Sequence, residues 1–180
     1  MPPTSAAAAE SPRPSKPGWI MGQVGSLDSL LGVHPAALRD LYREGRPVDP
    51  GELAGRLRGR MLGIPFEAAF LVTKPLVVGF ARYLYPWRGK SFDADGAGGH
   101  NFFVLGQGLP FRCEPGLSEL DGRPTLFIRY DGVGNPWPVS TMVDELRFVG
   151  EHVLLGPSSL RRARGPLLFA WWGLELEGRG

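Results

Sequence analysis

Asp144 stands between Met142 and Leu146 on one face of an alternating segment, with Phe148 next on the same face. A carboxylate on an apolar stripe is costly to bury, so it needs either a partner or a task. In an apolar cavity it can act as general acid or base, as in isomerases and cyclases built on barrels. Arg129 or Arg147 would then be its partner. The plainer expectation is a structural ion pair, with Arg129 across neighbouring strands, that fixes the sheet. Trp87, Phe102, Tyr130, Phe148, His152 and Trp172, together with Asp144, are the candidate lining of a binding cavity. The aromatic residues among them serve a core first and a pocket second. Trp171 and Trp172 cannot both point inward from one strand.

Other chemistry is sparse. The sequence has no P-loop, no dinucleotide-binding glycine motif after a strand, no Gly-X-Ser-X-Gly elbow and no His-Glu-X-X-His. His34, His100 and His152 are far apart, so no metal site is expected unless the fold gathers them. No cofactor is predicted, although His152 would be the axial ligand if the barrel held a haem. The single cysteine, Cys113, excludes an intrachain disulfide. Its neighbour Arg112 would point to the opposite face of a strand, so Cys113 does not read as a nucleophile.

The elements that must position these residues are mostly strands. From Thr125 to Leu160, three alternating segments are separated by turn chemistry, the mark of consecutive antiparallel strands. Leu126, Ile128 and Tyr130 share one face of the first segment. Upstream, His100 to Leu105 forms a strand and Gly106-Gln107-Gly108 a turn. Leu109 to Glu114 and Leu117 to Leu120 form one interrupted strand, and Asp121-Gly122 a hairpin turn. Pro166 to Glu177 closes the domain, with Leu168, Ala170, Trp172, Leu174 and Leu176 on one face. Arg56, Arg58 and Arg60 alternate along a first strand and are expected to face water. The total is about eight strands, enough for a barrel that holds side chains or one small ligand.

Helices are expected only before Trp87, in about 26–54. Ser26 caps a short one, Pro35 to Glu44 gives another that Gly45 ends, and Asp49-Pro50-Gly51-Glu52 reads as a capping box. Residues of about 65–86 carry helical spacing broken at Lys74-Pro75, and read as a helical lid or a core plug. The first eighteen residues are rich in Pro, Ser and Ala and read as a disordered tail, leaving 19–180 as one domain. They lack the pattern of a signal peptide, so a cytoplasmic location is expected. No apolar run reaches transmembrane length. The net charge of +2 is too small to argue for nucleic acid. With 26 glycines and 18 prolines, the composition suits many tight turns and opposes a helical bundle.

Short motifs spread from Asp49 to Leu176 resemble the bacterial Gly-X-Trp-X-Gly family. They are GRLRG at Gly55 to Gly59, WRGKSF at Trp87 to Phe92, and Tyr130-Asp131 followed by Pro138, Asp144, Arg147, Val149 and Leu154 to Gly156. Leu57 stands where that family carries its tryptophan. The resemblance implies a lipocalin-like, calycin-like antiparallel barrel; the family offers no catalytic residues to carry over. The expected function is binding of a small apolar or amphipathic molecule inside the barrel. The alternatives are a barrel enzyme working through Asp144, and a protein-interaction module using the N-terminal helices or the basic turn Arg161 to Gly165.

Overall fold

The computed structural model describes residues 24–63 and 86–176. The expected tail lies outside them, as does the expected lid save for Pro86. The strands are β1 (Arg46–Pro47), β2 (Gly55–Gly63), β3 (Trp87–Phe92), β4 (Gly98–Phe103), β5 (Gly106–Leu117), β6 (Pro124–Arg129), β7 (Met142–Phe148), β8 (Val153–Leu160) and β9 (Leu167–Glu175). From β2 to β9 each strand pairs antiparallel with the next, and β9 pairs back to β2. Eight strands therefore close an up-and-down barrel of lipocalin-like architecture, and the two-residue β1 pairs with the end of β7 that β6 does not reach.

Alternation along each strand sorts side chains into two cores. Inside the barrel lie Leu57, Trp87, Phe92, Phe111, Leu126, Ile128, Tyr130, Leu146, Phe148, Leu154, Trp172 and Leu174. Outside, Leu62, Val149, Val153, Leu155 and Trp171 meet Val24, Leu27, Leu30, Leu38, Leu41 and Tyr42 of the N-terminal segment. Trp171 and Trp172 thus divide between the two cores, as adjacent residues of a strand must.

That outer layer comprises a 3-10 helix, Leu27–Leu30, and α1 (Pro35–Glu44). His34 Nδ1 accepts from Ala36 N at the start of α1, Pro35 opens its first turn, and Gly45 follows its end. Asp49 and Glu52 form the expected capping box on a single 3-10 turn.

Four expectations need correction. The arginines of β2 do not simply face water: Arg58 pairs with Asp28 and Glu175, and Arg60 reaches Asp28 at 3.4 Å. The N-terminal layer covers that face and supplies the counter-charge. A 3-10 turn, Val139–Thr141, lies beyond Trp87, where only strands were expected. β5 runs without interruption from Gly106, and the turn before it is at Val104-Leu105. Leu168 packs with the outer core, because the register of β9 shifts between Ala170 and Leu168. A shift of one residue moves a side chain to the other face.

Candidate functional site

One cavity of about 100 Å³ opens into the barrel. Its walls are Met61, Trp87, Phe103, Leu109, Met142, Phe169 and Trp172, and its polar floor is Lys90, Asn101, Tyr130, Asp144 and Ser158. Every strand from β2 to β9 contributes, β6 through Tyr130 at its end.

Four breaks in strand register converge on this cup. They fall at Met61/Gly63 in β2, Trp87/Gly89 in β3, His100/Asn101 between β4 and β5, and Ser158/Ser159 between β8 and β9. Each adjoins a residue of the lining. In β3 strict alternation would put Trp87 and Lys90 on opposite faces; the extra residue, Arg88, turns both inward. In β5 the extra residue is Leu109, at φ +50, a conformation that a branched side chain rarely adopts. In β9 it is Phe169, which joins the cup wall. Bulges re-aim side chains and gather next to functional sites, where strained backbone also collects.

Gly59 seats Trp87, and Gly89 lets β3 approach β2 beside it. A Cβ at Gly59 would lie 2.5 Å from the Trp87 ring and 2.6 Å from Gly89 Cα. Gly89, at φ +144, leaves no room for a Cβ, which would meet the Leu57 carbonyl oxygen at 2.0 Å. These are the glycines of the GRLRG and WRGKSF motifs, facing each other across β2 and β3. The Trp87 indole meets Trp172 edge to face at 5.9 Å.

The floor is a closed hydrogen-bond network. Lys90 Nζ donates to Asn101 Oδ1 at 3.0 Å and Tyr130 Oη at 2.5 Å, and lies 3.0 Å from Asp144 Oδ2. Its three protons therefore meet three oxygens. Tyr130 Oη donates to Asp144 Oδ2 at 2.9 Å, and Ser158 Oγ to Asp144 Oδ1 at 2.5 Å. Trp87 Nε1 donates to Asn101 Oδ1 at 2.9 Å, and Asn101 Nδ2 to the Leu109 carbonyl at 3.0 Å. The bulged residue is thus held by the floor it borders.

The Lys90 and Asp144 side chains are 2% and 3% exposed, so this ion pair is buried. Rings of Trp172, Phe111, Tyr130 and Trp87 surround Lys90 Nζ at 4.8 to 5.8 Å. Their faces offset part of the cost of desolvating the cation. Burial nonetheless pushes the Lys90 amine below its ordinary value, against the opposing pull of Asp144. Burial and the Asp144 charge together push the Tyr130 hydroxyl well above its ordinary value. Among the cup residues, Trp172 Nε1 is buried without a hydrogen-bond partner.

Of the residues singled out from the sequence, the structure brings together Trp87, Tyr130, Asp144 and Trp172. Phe102 lies between two inward residues of β4, and faces outward with the Arg56 guanidinium 4.7 Å from its ring centroid. Phe148 is inside the barrel but borders a separate cleft of about 490 Å³ that includes Arg46, Glu52 and His152. His152 is largely exposed in the β7–β8 turn, 3.7 Å from Glu151. Neither expected arginine reaches Asp144. Arg129 turns outward to Glu114 at 2.8 Å, and Arg147 to Asp121 at 2.7 Å. The partner is Lys90. Sequence reasoning missed it, although alternation with Phe92 aims it inward. Asn101, Ser158 and the bulged residues carried no comparable signal. Cys113 is half-buried against the interior, and burial pushes its thiol up to about 12. Among the described residues no three His, Cys, Asp or Glu side chains gather to hold a metal. No helix among them is long and apolar enough to cross a membrane.

No protein-family model matches this sequence, and no curated protein matches it. Among solved structures, a protein from Thermomonospora curvata is similar with a TM-score of 0.46 and 16% identity, over 79% of this chain and 87% of that one.

Proposed function

We propose that the barrel binds a small amphipathic molecule in the cup. Its apolar body packs against Trp87, Phe103, Met142 and Phe169, and its hydrogen-bond acceptor meets the Trp172 indole N–H. The observation that carries this reading is a buried donor without a partner, Trp172 Nε1, on a residue that lines a cup whose floor groups are bonded to one another. A buried donor without a partner is costly, and a ligand acceptor removes that cost. The cup, about 100 Å³ and open at its mouth, encloses a short chain or part of a single ring, since a cavity that takes all of benzene is about 150 Å³. Kinship with the Gly-X-Trp-X-Gly family and a cytoplasmic location belong to the same proposal. Gly59, whose added Cβ would meet the Trp87 ring, supports the first, and the lone free thiol of Cys113 suits the second.

The test is benzyl alcohol titrated into isotope-labelled protein, read at the tryptophan indole N–H signals by NMR. The Trp172 signal, assigned by its loss in Trp172→Phe, should shift saturably. The same variant should bind about fivefold more weakly, the value of one hydrogen bond of about 1 kcal/mol. A Trp172 signal that stays fixed while the probe saturates elsewhere, or never binds, overturns the reading. Native mass spectrometry of freshly purified protein would then name the chemical class of a retained ligand.

A further inference from the structure

The cup contains a reactive group that binding alone does not use. The sequence has three lysines, Lys16, Lys74 and Lys90, against seventeen arginines. Where the described residues carry a cation on the outside, it is an arginine; the cup holds a lysine. The two differ chemically. A guanidinium stays protonated, whereas a buried ammonium can release a proton and become a nucleophile. Lys90 Nζ lies 2.5 Å from the Tyr130 hydroxyl and 3.0 Å from an Asp144 oxygen. Both are groups that can pass protons at the same nitrogen.

We propose that Lys90 captures a small aldehyde or ketone from the cup as a Schiff base, with Asp144 and Tyr130 carrying the protons. This deepens the cup-binding reading and rests on it. The steps balance within the network. An ammonium proton passes to Asp144, leaving a neutral amine. The Nζ lone pair forms a bond to the carbonyl carbon. Tyr130 gives its proton to the carbonyl oxygen and takes one back from the nitrogen, which yields a carbinolamine. Asp144 returns its proton to the carbinolamine oxygen, the C–O bond breaks, and water leaves. The nitrogen lone pair closes the C=N bond. The result is an iminium cation beside a carboxylate, the same charges as at the start. The four rings around Nζ and the Asp144 carboxylate therefore stabilise the product as they do the ammonium.

Benzaldehyde with cyanoborohydride tests this on the intact protein. Hydride reduces the iminium to a secondary amine, which adds the mass of the aldehyde less its oxygen. Peptide mapping should place the adduct on Lys90 in preference to Lys16, Lys74 and the N-terminal amine. The Lys90→Arg variant keeps the positive charge beside Asp144 but forms no imine, so the adduct should be lost. Mapping of the unaltered protein stands on its own if that variant does not fold. Adducts confined to Lys16, Lys74 or the N-terminus overturn the proposal. Benzyl alcohol separates the two readings. If it shifts the Trp172 signal while Lys90 stays unmodified by benzaldehyde, the cup reading holds and carbonyl capture falls. If neither occurs, both fall.

Discussion

Neutralising Asp144 leaves Lys90 as a buried cation without its counter-charge. Breaking one side of a buried pair costs about 3–5 kcal/mol, while replacing both partners with apolar groups is often neutral. Asp144→Asn should therefore lower the urea midpoint strongly, and Lys90→Met combined with Asp144→Leu should recover much of the loss. Additive effects in that cycle would show that the two side chains are not coupled. The inward aim of Asp144 was legible, because alternation put it with Met142, Leu146 and Phe148, all of which border the interior. The same alternation argues against both expected partners. Arg147 is an odd neighbour of Asp144 and must face outward, and Asp144 pairs across the sheet with Ile128 rather than Arg129. The actual partner lies four strands away around the barrel. No local pattern states which distant strand will supply a charge. Both oxygens of Asp144 are also occupied by Lys90, Tyr130 and Ser158. This suits a relay behind Lys90 better than a base that touches substrate.

Single elements were easier to read than their irregularities. The strands from β6 to β9 fall close to where alternation and turn residues place them, since period and turn chemistry are local properties. The bulges are different. An extra residue is accommodated because the closed barrel demands curvature and the cup demands particular side chains, and both demands come from the tertiary structure. Gly59 and Gly89 carry a partial signal, since both belong to short motifs, GRLRG and WRGKSF, that are visible in the sequence alone. Their role predicts a sharp contrast. In Gly59→Ala the new Cβ would sit 2.5 Å from the Trp87 ring and 2.6 Å from Gly89 Cα. Overpacking of this kind costs about 1–3 kcal/mol. It should also displace Trp87 from Asn101 and weaken benzyl alcohol binding. Gly25→Ala is the control, because a Cβ there has nothing within 4 Å. Thermal unfolding of both variants would decide the matter. Equal midpoints would mean that the β2–β3 contact is loose and that Gly59 does not seat the indole.

At the scale of the whole molecule, the barrel and its outer layer are joined by a second buried polar cluster, distinct from the cup. Tyr42 of α1 donates to Glu145 at 2.6 Å, and its hydroxyl lies 2.9 Å from Thr125 Oγ1. Arg147 is fully buried behind it. It donates to the carbonyl oxygens of Tyr42, Arg123 and Pro124, and its guanidinium clasps Asp121 at 2.7 and 2.8 Å. The Arg147 guanidinium holds the Asp121 carboxyl down to about 2, from an ordinary 3.8. A carboxyl held low in the folded state binds protons more readily when unfolded. Its stabilisation is present in full above the unfolded value, and fades as the pH falls toward the folded one. The interval between about 2 and 3.8 corresponds to on the order of 2 kcal/mol at neutral pH. Asp121→Asn removes this titration. The variant should therefore be less stable than the parent at pH 7, and the gap should narrow from about pH 4 and largely close near pH 2. Urea unfolding of both proteins across that range makes the comparison, because the two differ only at this carboxyl. Parallel stability curves with a constant gap would mean that Arg147 gains nothing from the Asp121 charge. The clasp would then be geometric, and the outer layer would be held to the barrel by its apolar contacts, the Tyr42–Glu145 bond and the pairs of Asp28 with Arg58 and Arg60.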